Sequence, residues 1–249
     1  METVPAAVGL KETRRFCILT VGPVHSQSNE KVLQQEQELL DRKRIFSEIF
    51  PSDSYELASQ ESTNERKLLG PSRKNFTLTY GEILYDSFTE ILSSSSLGSL
   101  KEQQQDSNKM FIDLGSGTGK ASFIAALNSN FQSCIGIEIM STLHTLALQS
   151  LESWKSAQQR FPSSSFHQTQ IEFLHGSFLD LKLFDWTIGD LVFANSTCYG
   201  HEIMAQISSH SSLITSFSFH SFSCRANEEE LLLHHFYLSS QSLLWVCRG

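Results

Sequence analysis

One stretch near the middle of the chain, where a short apolar run ends in alternating glycines, constrains the fold most strongly. Met110–Leu114 is apolar apart from Asp113, and glycine occupies every second position from Gly115 to Gly119. A short apolar run of this kind is typical of a buried parallel strand. Glycine lets the main chain take tight dihedral angles and lie directly against a ligand. We therefore expect a strand, a ligand-binding turn and a helix that begins at Lys120.

The alternation of apolar runs with helical periodicity continues downstream. Further strands are predicted at 133–138, 171–174 and 190–194, with helices over 120–127, 141–160 and 196–207. Strands that alternate with helices indicate βαβ units and a parallel sheet covered on both faces. The predicted fold class is therefore α/β, with a doubly wound, mostly parallel sheet. Beyond about residue 208 the pattern weakens, and the candidate strands there are 213–217 and 242–246.

The N-terminal part of the chain has a different character. Residues 26–50 carry apolar residues at helical spacing and predict an amphipathic helix that packs against the main domain or a partner. Residues 51–75 contain Pro51 and a Gly-Pro break, which predict a linker. Helical spacing returns over residues 80–92. We therefore divide the chain into an N-terminal extension, residues 1–75, and a main domain, residues 76–249.

Composition excludes several classes of protein. The net charge of −8 provides no bulk positive field for nucleic acid or an anionic membrane. The five cysteines form no C-x-x-C pair, so we expect reduced thiols, no metal site and a cytosolic or nuclear location. No apolar run is as long as a membrane span.

The spacing of the glycines distinguishes between ligand classes. A dinucleotide turn requires glycine at the position of Lys120, and a phosphate-binding loop requires glycine at Leu114 and a hydroxyl at Ala121. Both patterns fail. What remains is D-x-G-x-G-x-G, with Glu138 closing the second strand, where a carboxylate can accept hydrogen bonds from ribose hydroxyls. This pattern resembles motif I of class I methyltransferases, which implies S-adenosylmethionine as the cofactor.

Three further segments narrow the resemblance. Tyr80-Gly81-Glu82 precedes the glycine turn, His175–Phe178 follows the third predicted strand, and Leu191–Gly200 includes the fourth. Their order and spacing resemble the disruptor-of-telomeric-silencing family, the histone-lysine methyltransferases that lack a SET domain. The likeness spans about residues 76–207. It implies a class I methyltransferase domain that methylates a protein lysine, with histones in the nucleosome core as the expected targets.

The resemblance also implies residue roles. Asp113 and the glycine turn would hold the methionine part of the cofactor, Glu138 the ribose and Phe178 the adenine. Tyr80 and Glu82 would close over the methionine end, and Asn195 would stand at the mouth of a lysine channel. The implied cofactor-binding residues are Tyr80, Glu82, Asp113, Gly115, Gly117, Gly119, Lys120, Glu138, Ser177, Phe178 and Asn195. The implied catalytic residues are Tyr80, Asn195 and Tyr199.

Two departures from the family pattern keep alternatives open. Ser177 stands where the family has an acidic residue, and Thr197 where it has an aromatic one. The alternatives are a methyltransferase for a non-histone protein or small molecule, and a catalytically weak cofactor-binding module. We expect a protein substrate, no sequence-specific nucleic-acid binding and no membrane. The expected location is the nucleus, with the cytoplasm as the alternative.

Overall fold

The computed structural model describes residues 26–70, 78–93, 109–161, 168–211, 217–222 and 243–248. The chain divides into two compact units, one up to Leu40 and one from Asp41. We call the second the main unit. The predicted domain boundary at residues 75 and 76 stays a prediction.

A single six-stranded sheet organises the main unit. Its strands are β1 (Met110–Leu114), β2 (Ser133–Glu138), β3 (Gln170–His175), β4 (Leu191–Ala194), β5 (Phe217–Phe222) and β6 (Leu243–Arg248). Their order is β3-β2-β1-β4-β6-β5. The first four run parallel, and β6 is antiparallel to both β4 and β5. The predicted α/β fold with a mostly parallel sheet is confirmed.

The described residues also contain six α-helices, one of which the sequence did not predict. They are α1 (Ser26–Ile49), α2 (Ser54–Leu68), α3 (Tyr85–Ser93), α4 (Lys120–Asn128), α5 (Ser141–Arg160) and α6 (His201–Ser211). Two strands were expected near the C-terminal end. Of residues 213–217, all but Phe217 lie outside the described residues, and the strand described there is Phe217–Phe222. The strand expected at 242–246 is observed as Leu243–Arg248.

Side chains alternate between two cores, one on each face of the sheet. Phe111 belongs to a core that also contains Phe123 of α4 and Trp154 of α5. Ile112 belongs to a second core with Ile207 of α6. Because successive strand residues point to opposite faces, Asp113 lies on the same face as Phe111. This alternation decides where the Asp113 carboxyl points.

The linker expected over residues 51–75 is wrong for residues 54–68, which form α2. Only Ala58 and Ser62 of this helix are buried. Small buried residues leave no stripe of large apolar side chains, so the helical period was hidden in the sequence. Helix α2 contacts α5.

Two predicted helices begin later than expected. Tyr80–Glu82 lie in an irregular segment, and α3 begins only at Tyr85. The helix expected over residues 196–207 is a short 3₁₀ turn at Ser196–Cys198, followed by α6 from His201. In each segment a glycine, which is a poor helix former, precedes the observed helix. Neither segment is therefore α-helical, and both lie beside the strand ends.

Within the described residues, no helix is both long enough and apolar enough to cross a bilayer.

Candidate functional site

A cavity of about 870 Å³ lies beside the carboxyl ends of β1, β2 and β4. One side, which we call the glycine wall, consists of Gly115, Gly117 and Glu138–Met140. The other, which we call the loop wall, consists of Leu78–Gly81 together with Asn195, Cys198 and Tyr199. In an open α/β sheet this edge is where ligands bind.

Main-chain hydrogen bonds tie the glycine turn to β2. The amide of Gly115 donates to the carbonyl of Ile137 at 2.9 Å, and the amide of Gly117 donates to Oε2 of Glu138 at 2.7 Å. Gly115, Gly117 and Gly119 have φ angles of 78°, 56° and 87°. These angles lie in the left-handed region, where side chains are strained. The turn therefore requires glycine.

A Cβ atom added at each of the three glycines would collide with a different neighbour. A Cβ atom at Gly115 would collide with the hydroxyl of Tyr199, and one at Gly117 would lie 2.7 Å from the ring of Tyr80. Both collisions involve residues of the loop wall. A Cβ atom at Gly119 would instead collide with the ring of Phe173, in the core. The third glycine therefore serves the packing of α4 on the sheet.

Glu138 is a buried carboxylate that faces the cavity. Only 6% of its surface is exposed, and its Oε1 accepts a hydrogen bond from the amide of Met140 at 2.8 Å. Burial raises its pKa, while the backbone hydrogen bonds from Met140 and Gly117 oppose that rise. A carboxylate oxygen can accept more than one hydrogen bond, so both oxygens keep capacity for a ligand's hydroxyls.

A polar network holds the Tyr80–Glu82 segment to the start of α4. The hydroxyl of Tyr80 donates to Glu82 and lies 3.0 Å from Oγ1 of Thr118. Lys120 forms an ion pair with the other oxygen of Glu82. Burial raises the pKa of Tyr80, and the charge of Glu82 raises it further. The Tyr80 hydroxyl therefore stays protonated at neutral pH.

Two contacts close the loop wall. Nδ2 of Asn195 donates to the carbonyl of Gly81 at 3.4 Å, which joins the segment after β4 to the segment before α3. The hydroxyl of Tyr199 donates to the carbonyl of Leu114 at 2.9 Å. Burial raises the pKa of Tyr199 well above its ordinary value. Its ring centroid lies 5.6 Å from that of Phe178.

Most of the predicted site residues line this one cavity. They are Tyr80, Gly115, Gly117, Glu138, Ser177, Phe178, Asn195 and Tyr199. Ser177 bonds locally, with its hydroxyl accepting from the amide of Leu179 at 3.2 Å. Asn195 precedes the 3₁₀ turn without a side-chain capping bond, so capping does not account for it.

Four predicted residues do not line the cavity: Glu82, Asp113, Gly119 and Lys120. The carboxyl of Asp113 lies on the α4 face, where Oδ2 is 3.4 Å from the Ser122 hydroxyl. Burial raises the pKa of Asp113 to about 8, and the charge of Glu138 contributes. The cofactor roles of these four residues stay predictions.

Sequence reasoning missed other lining residues. Ile139 and Met140 directly follow Glu138, so the rule that ligands lie beyond strand ends could have found them. The first residues of α6 carry no motif that marks them as part of a site. The remaining missed residues are Leu78, Thr79, Gly81, Leu143, Leu179, Cys198, Gly200, His201, Glu202, Ile203 and Gln206.

A family model described as "Histone methylation protein DOT1" matches residues 62–215, which is 154 of the 249 residues. The chain belongs to the DOT1 family. It is an S-adenosylmethionine-dependent methyltransferase. The family match includes the C-terminal half of α2, the glycine turn and all of α6.

No curated protein matches this member of the DOT1 family. Among solved structures, the rRNA methyltransferase aviRa from Streptomyces viridochromogenes is 11% identical, with 74% of this chain and 92% of that chain covered and a TM-score of 0.44. A putative RNA methyltransferase, PH1948 from Pyrococcus horikoshii, is 12% identical, with 76% and 98% covered and a TM-score of 0.38.

TrmK of M. capricolum, in complex with S-adenosyl-homocysteine, is 12% identical, with 63% of this chain and 69% of that chain covered and a TM-score of 0.34. Because these TM-scores are below 0.5, the three likenesses carry no argument about substrate. Within the described residues, no cluster of His, Cys, Asp or Glu could hold a metal ion.

Proposed function

We propose that this DOT1-family chain is a protein-lysine N-methyltransferase that modifies a histone lysine in the nucleus. The observation that carries the proposal is the cavity between the glycine wall and the loop wall. Its volume of about 870 Å³ lies within the range of sites for cofactor-sized ligands. The family match supports methylation as the reaction.

The chemistry of the glycine wall fits an adenosyl group. Glu138 offers carboxylate oxygens to ribose hydroxyls, while Ile139 and Met140 offer apolar contact beside it. Phe178 adds an aromatic face, on which a purine can stack. Gly115 and Gly117 line the cavity and carry no side chain, which allows close approach of the methionine part to the main chain.

Bound S-adenosylmethionine supplies the methyl carbon and the sulfur leaving group, so the protein needs no nucleophile of its own. The work of the loop wall is to align the lysine amine with that methyl group, which contributes through orientation. Asn195 and Gly81, both of the loop wall, are joined by a hydrogen bond and form the rim of that wall. Tyr80 and Tyr199 supply ring surface beside the glycine turn.

The amine must also lose its proton before it can attack. Free lysine has a pKa of about 10.4, and desolvation by apolar walls lowers it. Tyr80 and Tyr199 keep their own protons, because burial raises the pKa of each hydroxyl. They therefore act as neutral walls, and the proton of the amine leaves to solvent.

Charge at the rim supports a cationic protein substrate. Glu202 lines the cavity near its opening and is exposed. Among the described residues, several cations are already paired with acids, including Lys43 with Asp86 and Arg160 with Glu48. Together with the net charge of −8, this pairing favours a basic substrate over contact with DNA phosphates.

Transfer of a labelled methyl group from S-adenosylmethionine to histones tests the proposal. Nucleosomes, free core histones and small-molecule amines are compared at the same cofactor concentration, with S-adenosylhomocysteine as a competing control. The proposal predicts that a histone lysine acquires the label, identified by mass spectrometry. Label on other proteins from a nuclear extract, with none on either histone preparation, would contradict the histone assignment.

The negative net charge also favours a second candidate, a methyltransferase for a basic non-histone protein. Such an enzyme would not need to approach wrapped DNA. Free histones labelled much faster than nucleosomes, with no retention of nucleosomes at low salt, would favour this candidate. Tight cofactor binding without turnover on any extract would instead favour a binding module.

A further inference from the structure

Helix α5 begins without a capping side chain of its own, because the residue at its N-cap is Met140. The amides of Ser141 and Thr142 instead donate to the two carboxylate oxygens of Glu65, each at 2.9 Å. The hydroxyls of the same two residues donate to Glu65 as well. The free amides of a helix start carry partial positive charge, so an ionised carboxylate stabilises them.

Glu65 is ionised at neutral pH. Burial acts to raise its pKa, but hydrogen bonds from Thr142 and Ser141 outweigh burial, and the pKa lies below its ordinary value. Hydrogen bonds to a charged acceptor are stronger than neutral ones. The contact therefore fixes the first turn of α5 to α2.

Two carboxylates thus hold three consecutive amides. Glu138 accepts from the amide of Met140, and Glu65 accepts from the next two amides along the chain. Ile139 and Met140, which line the cavity, lie directly between these anchor points. A shift of the α5 start would move the apolar wall beside the carboxylate of Glu138.

Helix α2 also contacts the opposite side of the cavity. Ala58 belongs to a buried cluster with Met140 and Leu143, against which Leu78 and Tyr80 pack. Nη1 of Arg66, the residue after Glu65, donates to Oγ1 of Thr79 at 3.1 Å. Helix α2 therefore braces both walls.

We propose that Glu65 is a positioning residue for cofactor binding: by holding the first turn of α5, it sets Ile139 and Met140 at the distance from Glu138 that an adenosyl group requires. This inference rests on the proposed cofactor site. It assigns a binding role to a helix outside the strand ends.

Glu65→Gln tests the role, because glutamine keeps the size but removes the charge and one acceptor. We expect the Kd for S-adenosylhomocysteine, measured by calorimetry, to rise about tenfold. In assays on core histones, the KM for S-adenosylmethionine should rise by a similar factor, while kcat at saturation changes less than about twofold. Glu65→Asp should restore part of the affinity, since it keeps the charge.

Glu61→Gln is the matched control. Glu61 lies one turn earlier on the same helix, and the substitution also removes one carboxylate. The Kd of this variant for S-adenosylhomocysteine should equal that of the wild type. Should Glu65→Gln fold poorly, Thr142→Val removes one hydroxyl donor to the carboxylate while keeping the amide, and a smaller rise in Kd is expected. Glu65→Gln should also weaken the binding of 5′-methylthioadenosine, which lacks the amino-acid part. The factor should be the same as for S-adenosylhomocysteine.

A lower melting temperature for Glu65→Gln with unchanged Kd would overturn the inference, since the residue would then cap α5 and nothing more. Loss of affinity for S-adenosylhomocysteine alone, with 5′-methylthioadenosine unaffected, would also overturn it. If the wild type itself binds neither ligand, the proposed function fails first and the inference fails with it.

Discussion

The two walls of the cavity are held in different ways. In the glycine wall, main-chain amides bond to β2 and to Glu138 at 2.7 to 2.9 Å. The loop wall is closed by side chains, and the bond from Asn195 to Gly81 is longer, at 3.4 Å. Main-chain donors therefore hold the glycine wall, whereas side-chain donors hold the loop wall. We therefore expect cofactor affinity to follow the glycine wall and turnover to follow the loop wall.

Gly117→Arg should have the largest effect of the four substitutions, and it tests whether the glycine wall binds the cofactor. The backbone has φ +56°, and even a Cβ atom would lie 2.7 Å from the ring of Tyr80, so an arginine must displace the wall or fill the cavity. Affinity for S-adenosylhomocysteine should fall at least about 100-fold, measured by calorimetry. Retained binding in a folded variant would contradict the placement of the cofactor.

Gly119→Ala should act on stability instead. Its Cβ atom would collide with Phe173, and its φ of +87° strains any side chain. The free energy of unfolding, from urea titration, should fall by about 2 to 4 kcal/mol. At temperatures where the variant remains folded, its Kd for S-adenosylhomocysteine should stay near the wild-type value. A large loss of affinity without loss of stability would show that this glycine contacts the cofactor after all.

Asp113→Asn should sharpen the comparison through pH, because Asp113 lies in β1, the strand that leads into the glycine wall. The pKa of Asp113 is raised by burial to about 8, above its ordinary value, so between those two values the folded state binds a proton that the unfolded state lacks. Stability then falls as pH rises from about 4 to 8, by up to about 1.4 kcal/mol per pH unit. Asparagine removes this titration, and the unfolding free energy of the variant should depend less on pH. Equal slopes for both proteins would rule out a raised pKa.

Asn195→Ala should have the smallest effect of these, confined to turnover. Loss of the bond to the carbonyl of Gly81 loosens the rim of the loop wall. We expect kcat on a histone substrate to fall about tenfold, while the Kd for S-adenosylhomocysteine changes less than about threefold. If affinity falls as much as kcat, the two walls do not act separately.

The sequence predicted the glycine wall more fully than it predicted α2 and the capping of α5. The bounds of β1 and β2 match the predicted runs, and Gly117 and Glu138 meet as the strand-end rule expects. Helix α2 was missed because it buries only small residues, Ala58 and Ser62. The capping of α5 by Glu65 spans 76 positions along the chain, and no local pattern encodes a contact of that range.

The motif predicts a cofactor contact for Asp113, and this stays a prediction. Strand alternation places the carboxyl on the α4 face, beside Ser122. Ser177 and Phe178 were predicted to lie at the cofactor site, and both line the cavity. Their contacts with a ligand stay predictions.

The pairing of β4 has a consequence for how the protein is made. Strand β4 leads into Asn195, and its second row of hydrogen bonds comes from β6, where Ala194 pairs with Leu244. A ribosome must therefore extend the chain by about 50 residues after β4 before that ladder can form. Until then β4 presents an open edge, and open edges attract strands from other chains. Loss of β6 would recreate that open edge in the folded protein.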